Sequence, residues 1–145
     1  MQHFDVVSIT FPSKPSLIPV FGASIREYAL LAGFSAKDAQ RLCLAFEEAS
    51  SYAISLGFGR EDDLLRLELY RITTGIEMVL RSKGLPLEDE ALPAFDPQRF
   101  AAAGDDTGLH SFLARQMVDR ITFSLQEDGE REIRLVKHWT AQESE

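Results

Sequence analysis

Hydrophobic and polar residues change their spacing several times along the chain, and each change predicts a new element. From His3 to Phe11 they alternate, with Val7, Ile9 and Phe11 on one face, which predicts a strand that Pro12 to Pro15 ends. Val20, Phe21, Ser24, Tyr28 and Leu31 then recur at helical spacing. Ser16 is placed to cap that helix, Pro19 is tolerable only in its first turn, and Gly33 stops it. Ser35 followed by Asp38 resembles a capping box, with Asp in place of Glu or Gln, and opens a central helix. Within that helix the stretch Leu42 to Phe58, LCLAFEEASSYAISLGF, puts Leu42, Cys43, Phe46, Ala49 and Ala53 on one apolar stripe. Glu48 and Tyr52 stand one turn apart on a separate flank with Ala45 and Leu56, so the carboxylate has small and apolar neighbours.

From Asp63 to Arg81 the period falls from 3.6 to 2. Leu65, Leu67 and Leu69 alternate with Arg66, Glu68 and Tyr70; Ile76, Met78 and Leu80 alternate with Glu77, Val79 and Arg81; Thr73, Thr74 and Gly75 lie between. This predicts a hairpin with one covered and one wetter face. Gly84 to Asp106 has no sustained period, a cluster of acids and the prolines Pro86, Pro93 and Pro97, which predicts a long loop with a short helix near Pro97 to Ala103. A further helix is expected from about Gly108 to Asp119, with Leu109, Phe112, Leu113 and Met117 inward. Ile121, Phe123 and Leu125, a turn at 126–129, and Ile133, Leu135 and Lys137 then predict a closing hairpin. The expected fold is α+β, a two-layer sandwich of a mixed, mostly antiparallel sheet covered by about three helices, in a single domain spanning residues 1–145.

Composition narrows the function. The 145 residues are 45% hydrophobic and 26% charged, as in a soluble globular protein, and no apolar run approaches the roughly 20 residues of a membrane span. The N-terminal residues alternate like a strand and lack a basic leader, so the expected location is cytoplasmic. The lone Cys43 falls on the apolar stripe and reads as a small buried side chain. A net charge of -8 argues against nucleic acid or an anionic membrane as partner and leaves a protein or a small ligand.

Glu48, Ala49 and Ala53 resemble the E-A-x-x-N-A motif on the N-box helix of the GHKL superfamily, the histidine-kinase-like ATPases, and above all its anti-sigma-factor and serine-kinase branch. That resemblance covers about residues 4 to 139, and it implies the Bergerat-type fold, ATP or ADP with Mg²⁺ as ligand, and Glu48 as the general base. This chain departs from the motif at Tyr52, which stands where the family has its Mg²⁺-binding Asn. A phenol is a poor Mg²⁺ ligand beside the carboxylate and amide oxygens the ion usually takes. At the family's D-x-G-x-G turn this chain reads Ser82, Lys83, Gly84, Leu85, Pro86, so the adenine-binding Asp is replaced by a serine and the second Gly by a proline. A serine hydroxyl can accept a hydrogen bond from adenine, but without charge assistance.

After the long loop, in the place of the family's ATP lid, Gly108 to Asp119 resembles G-R-G-L-F-L-I-R-Q-L-M-D. Gly108 matches the first Gly and His110 replaces the second, at a helix N-terminus where phosphates approach backbone amides; a two-residue shift makes Gly108 the second Gly and Asp106 the first. His110 either contacts an anion or blocks its approach. Glu48 itself is either a helix-surface acid beside Glu47 or what is left of a polar site, and Tyr52 either fills the old pocket or stacks on another flat ligand.

Together the departures imply weakened or lost ATP binding, a doubtful Mg²⁺ site and no metal ligands of the chain's own. The family's partners are a sigma factor or a small anti-anti-sigma antagonist phosphorylated on serine, and its members commonly form homodimers. The resemblance therefore implies a regulatory protein-binding domain, or alternatively a working serine/threonine protein kinase. The acidic loop from Leu87 to Asp106 and the first helix are the candidate surfaces.

Overall fold

The structure, a computed structural model, describes residues 4–12, 14–55, 64–82, 96–105, 109–125, 127 and 130–140. Its elements are β1 (Phe4–Pro12), a 3₁₀ turn (Pro15–Leu17), α1 (Ile18–Leu31), α2 (Ala36–Ser55), β2 (Leu64–Ile72), β3 (Gly75–Ser82), α3 (Pro97–Ala103), α4 (Leu109–Met117), β4 (Arg120–Leu125) and β5 (Arg131–His138). The strands form one open sheet in the order β1-β2-β3-β5-β4, and each described pairing is antiparallel. After β3 the chain passes through α3 and α4 and returns as the edge strand β4, with β5 filling the gap between.

Alternation along the strands decides which face meets the helices. Leu65, Leu67 and Leu69 on β2, Ile76, Met78 and Leu80 on β3, and Ile133 and Leu135 on β5 are buried together with Ile25, Ala29, Leu42, Ala45 and Phe46 of α1 and α2. The result is the expected two-layer α+β sandwich around one core. Phe11 seals its β1 side, stacked on Phe21 at 4.2 Å and tilted against Phe46 at 6.3 Å.

Local signals explain most boundaries. Pro19 lies in the first turn of α1, where its missing N–H costs nothing. Beyond α1, Gly33 takes a φ of 98°. The Ser35 hydroxyl accepts from the Asp38 amide at 3.2 Å and so caps α2. α3 has an Asp96 cap that accepts from the amides of Gln98 and Arg99, and Gly104 closes it in the left-handed conformation.

Three expectations change. Ser16 lies inside the 3₁₀ turn, and α1 starts after Leu17 without a side-chain cap. The buried face of α1 is Ile18, Gly22, Ile25, Tyr28 and Ala29, whereas Val20 and Leu31 are 57% and 86% exposed. Both sets have helical spacing, and only contact with α2 and the sheet selects between them. On α4, Ala114 is buried and Met117 packs partly buried against the core as expected, whereas Phe112 is 37% exposed and the Leu109 side chain lies outside the described residues.

Candidate functional site

α2 carries the candidate site, and its sides are assigned by packing. Its apolar stripe is buried as expected at Leu42, Cys43, Phe46 and Ala49. One neighbouring side meets α1 at Gly22, where an added Cβ would come within 2.7 Å of Glu47 Oε1 and 3.0 Å of Cys43 Sγ. Cys43 donates its S–H to Glu47 Oε1 at 3.5 Å. Burial, then the charge of Glu47 and its hydrogen bond, push the Cys43 thiol up to about 11, against a smaller opposing effect of Arg26. Cys43 is thus a protonated packing residue at neutral pH, and Glu47 belongs to the α1 contact.

Glu48 is half-buried on another flank. α2 is continuous through Ser55, so Tyr52 follows Glu48 by one turn on that flank; the Tyr52 side chain lies outside what is described. α4 packs against α2, and His110 is its second residue, so the helix bearing Glu48 and the helix bearing His110 are brought together. Ser82 is the last residue of β3, opposite Arg131 of β5. The side chains of His110 and Ser82 also lie outside the description, as do Gly84 and Gly108 entirely.

Two clusters carry no signature in the sequence. The first is on the sheet face away from the helices, where the expected wetter face holds residues almost fully out of water. Val79 and Val136 are buried there, with Glu77 3% and Glu132 4% exposed. Glu132 Oε1 accepts from Arg81 Nε at 3.1 Å, from Arg81 Nη2 at 3.0 Å and from Arg134 Nη2 at 3.0 Å, while Oε2 accepts from Ser124 Oγ at 3.1 Å. Arg134 also pairs with Glu77, Arg81 with Glu68, Arg66 with Glu130, and the Tyr70 hydroxyl donates to Glu68. Burial pushes the Glu132 carboxyl up, but the hydrogen bond and charge of Arg134, the Ser124 hydroxyl and the charge of Arg81 outweigh it and hold the group below its ordinary value.

The second cluster lies where the β2–β3 turn meets the end of β5. His138 Nδ1 is 2.8 Å from Thr74 Oγ1, and the His138 amide donates to Asp119 Oδ2 at 2.7 Å. Just inside it, Lys137 is 8% exposed on the helix-covered face, with Nζ 3.8 Å from Oδ1 of the buried Asp38, which Arg41 also approaches at 3.2 Å. The Asp38 that sequence spacing assigns to a helix cap is therefore also an anchor between α2 and β5.

Among the described residues no helix is long and apolar enough to cross a membrane. Compared with protein-family models and with curated proteins, the chain matches none.

Proposed function

We propose that the chain is a GHKL-like regulatory domain that works by binding a protein partner, with its nucleotide site weakened or lost. The observation that carries this reading is the unbroken helix from Ala36 to Ser55, which puts Tyr52 one turn after Glu48, where the family's metal-binding amide belongs. Phosphoryl transfer depends on positioning and charge neutralisation around the phosphates, so loss of the metal ligand is the most damaging of the departures. The two-layer α+β fold and the packing of α2 on α4 support the family resemblance. For the partner, a sigma factor or its antagonist by analogy, the first helix offers Val20 and Leu31 on its outer side, and α3 within the acidic loop offers Phe100, 44% exposed. By the same analogy a homodimer in the cytoplasm is the working form.

A second reading rests on the half-buried Glu48: a serine/threonine protein kinase in which Glu48 is still the base. Calorimetric titration with ATP and ADP, with and without Mg²⁺, separates the two. The proposal expects at most weak nucleotide binding that Mg²⁺ does not strengthen. Micromolar binding strengthened by Mg²⁺ would replace it by the kinase, in which Glu48→Ala abolishes transfer while leaving the fold intact.

A further inference from the structure

The chain's single tryptophan, Trp139, stands at one end of the sheet beside a cleft of about 450 Å³ that it lines together with Thr73, Thr74 and His138. Its volume falls within the roughly 300–1,000 Å³ typical of small-molecule sites. This cleft is separate from the flank of α2 that bears Glu48, and nothing in the proposed regulatory role uses it.

The walls are held in place before any ligand arrives. The Trp139 amide donates to the Thr74 carbonyl at 2.9 Å, and the indole N–H donates to the Ala32 carbonyl at 3.2 Å. Phe34 lies against the indole with ring centroids 6.0 Å apart. At Gly75 a side chain would overlap the Lys137 carbonyl, so this glycine lets the turn press onto the end of β5. His138 is fixed twice, through its amide to Asp119 and through Nδ1 to Thr74. With Nδ1 engaged, Nε2 is the ring nitrogen left for a ligand, as donor in one tautomer and acceptor in the other.

The chemistry of the lining selects the ligand. Among the described residues, none that lines the cleft is a carboxylate, ammonium or guanidinium, and the net charge of -8 disfavours anions. An indole offers stacking to a flat ring. The side chains of the described lining residues, apart from the indole, offer two threonine hydroxyls and one imidazole nitrogen as polar groups. A sugar, polar around its whole rim, would leave most of its hydroxyls unmet, whereas a flat heteroaromatic ring needs partners along one edge only.

We propose that this cleft binds a small, uncharged heteroaromatic ring, of the size of nicotinamide or a pyrimidine base, which lies against Trp139 and hydrogen-bonds through its polar edge to His138. The test is titration of the ¹⁵N-labelled full chain with nicotinamide and with uracil. The readouts are the one indole N–H cross-peak and the His138 ring resonances. The expected result is saturable movement of both for at least one probe. In His138→Ala, whose exposed position leaves the fold unchanged by its backbone spectrum, affinity should fall roughly fivefold, the worth of one hydrogen bond. Thr74→Val, which unpins the imidazole, should weaken binding in the same direction. Shifts that grow linearly to the solubility limit for both probes, or saturable shifts unaltered in His138→Ala, overturn the proposal. So does saturation by methyl glucopyranoside in place of the flat rings.

Discussion

Both faces of the sheet hold buried residues, but by different means. On the face that meets α1 and α2, Leu67, Leu69, Met78, Leu80 and Leu135 are at most 1% exposed and stabilise by hydrocarbon burial and close packing. On the opposite face, Val79 and Val136 lie among Glu68, Glu77, Arg81, Glu132 and Arg134, which occupy the matching positions of β2, β3 and β5. Long arginine side chains can cover apolar surface while their guanidinium groups satisfy carboxylates, so the sheet face opposite α1 and α2 can also contain buried residues. The first face depends on volume. The second depends on complete pairing, because a buried carboxylate without partners costs far more than its pair contributes.

The largest effect should come from the hydrocarbon face. Leu67→Ala, at a fully buried position between Ile9 and Leu80 in neighbouring strands, should cost about 2–5 kcal/mol by urea unfolding. A loss under about 1 kcal/mol would mean that the site collapses freely and that packing there is loose.

Arg134→Met should cost less, about 1–3 kcal/mol, since it strips a partner from Glu77 and Glu132 while its own side chain is 32% exposed and partly solvated. Adding Glu77→Leu to Arg134→Met should recover part of that loss, which a double-mutant cycle measures. Additivity of the two changes would show that pairing does not govern this face.

The smallest effect is in pH. Glu132 is held below its ordinary value in the folded chain, so the unfolded chain binds more protons in acid. Its contribution is therefore fully present above the ordinary carboxylate range and lost as pH falls through the lowered folded value. Stability of the parent chain should drop more steeply over that acid window than that of Glu132→Gln, and parallel curves would remove Glu132 from the balance.

The same contrast explains what could be read from the chain. Where a residue type has one physical use, the reading transfers directly. The 2-residue period of Leu65, Leu67 and Leu69, the turn at Thr73 to Gly75, the stop at Gly33 and the short helix Pro97–Ala103 all rest on such residues. α1 was harder because Val20 and Leu31 are as apolar as Ile18 and Ile25, and helical spacing alone cannot distinguish the two faces. Val79 and Glu77 were hidden differently, since alternation assigns them to the wetter face, where Arg134 pairs with Glu77 and stands opposite Val79 on the neighbouring strand. For the candidate site, the spacing of Glu48 and Tyr52 was legible from helix geometry, while the nearness of α2 to α4 was not.

By itself, then, the order of residues determined the elements, the apolar stripe of α2 and the placement of Glu48 and Tyr52 on one flank, because each follows from interactions within a few residues of chain. Tertiary structure decided which face of α1 is inside, the strand order that sets β5 between β3 and β4, the pairing of Glu132 with Arg81 across 51 residues, and the meeting of Thr74 with His138 across 64. Those depend on contacts between segments far apart in the chain, and a local pattern of polarity carries no record of which distant segment will complete it.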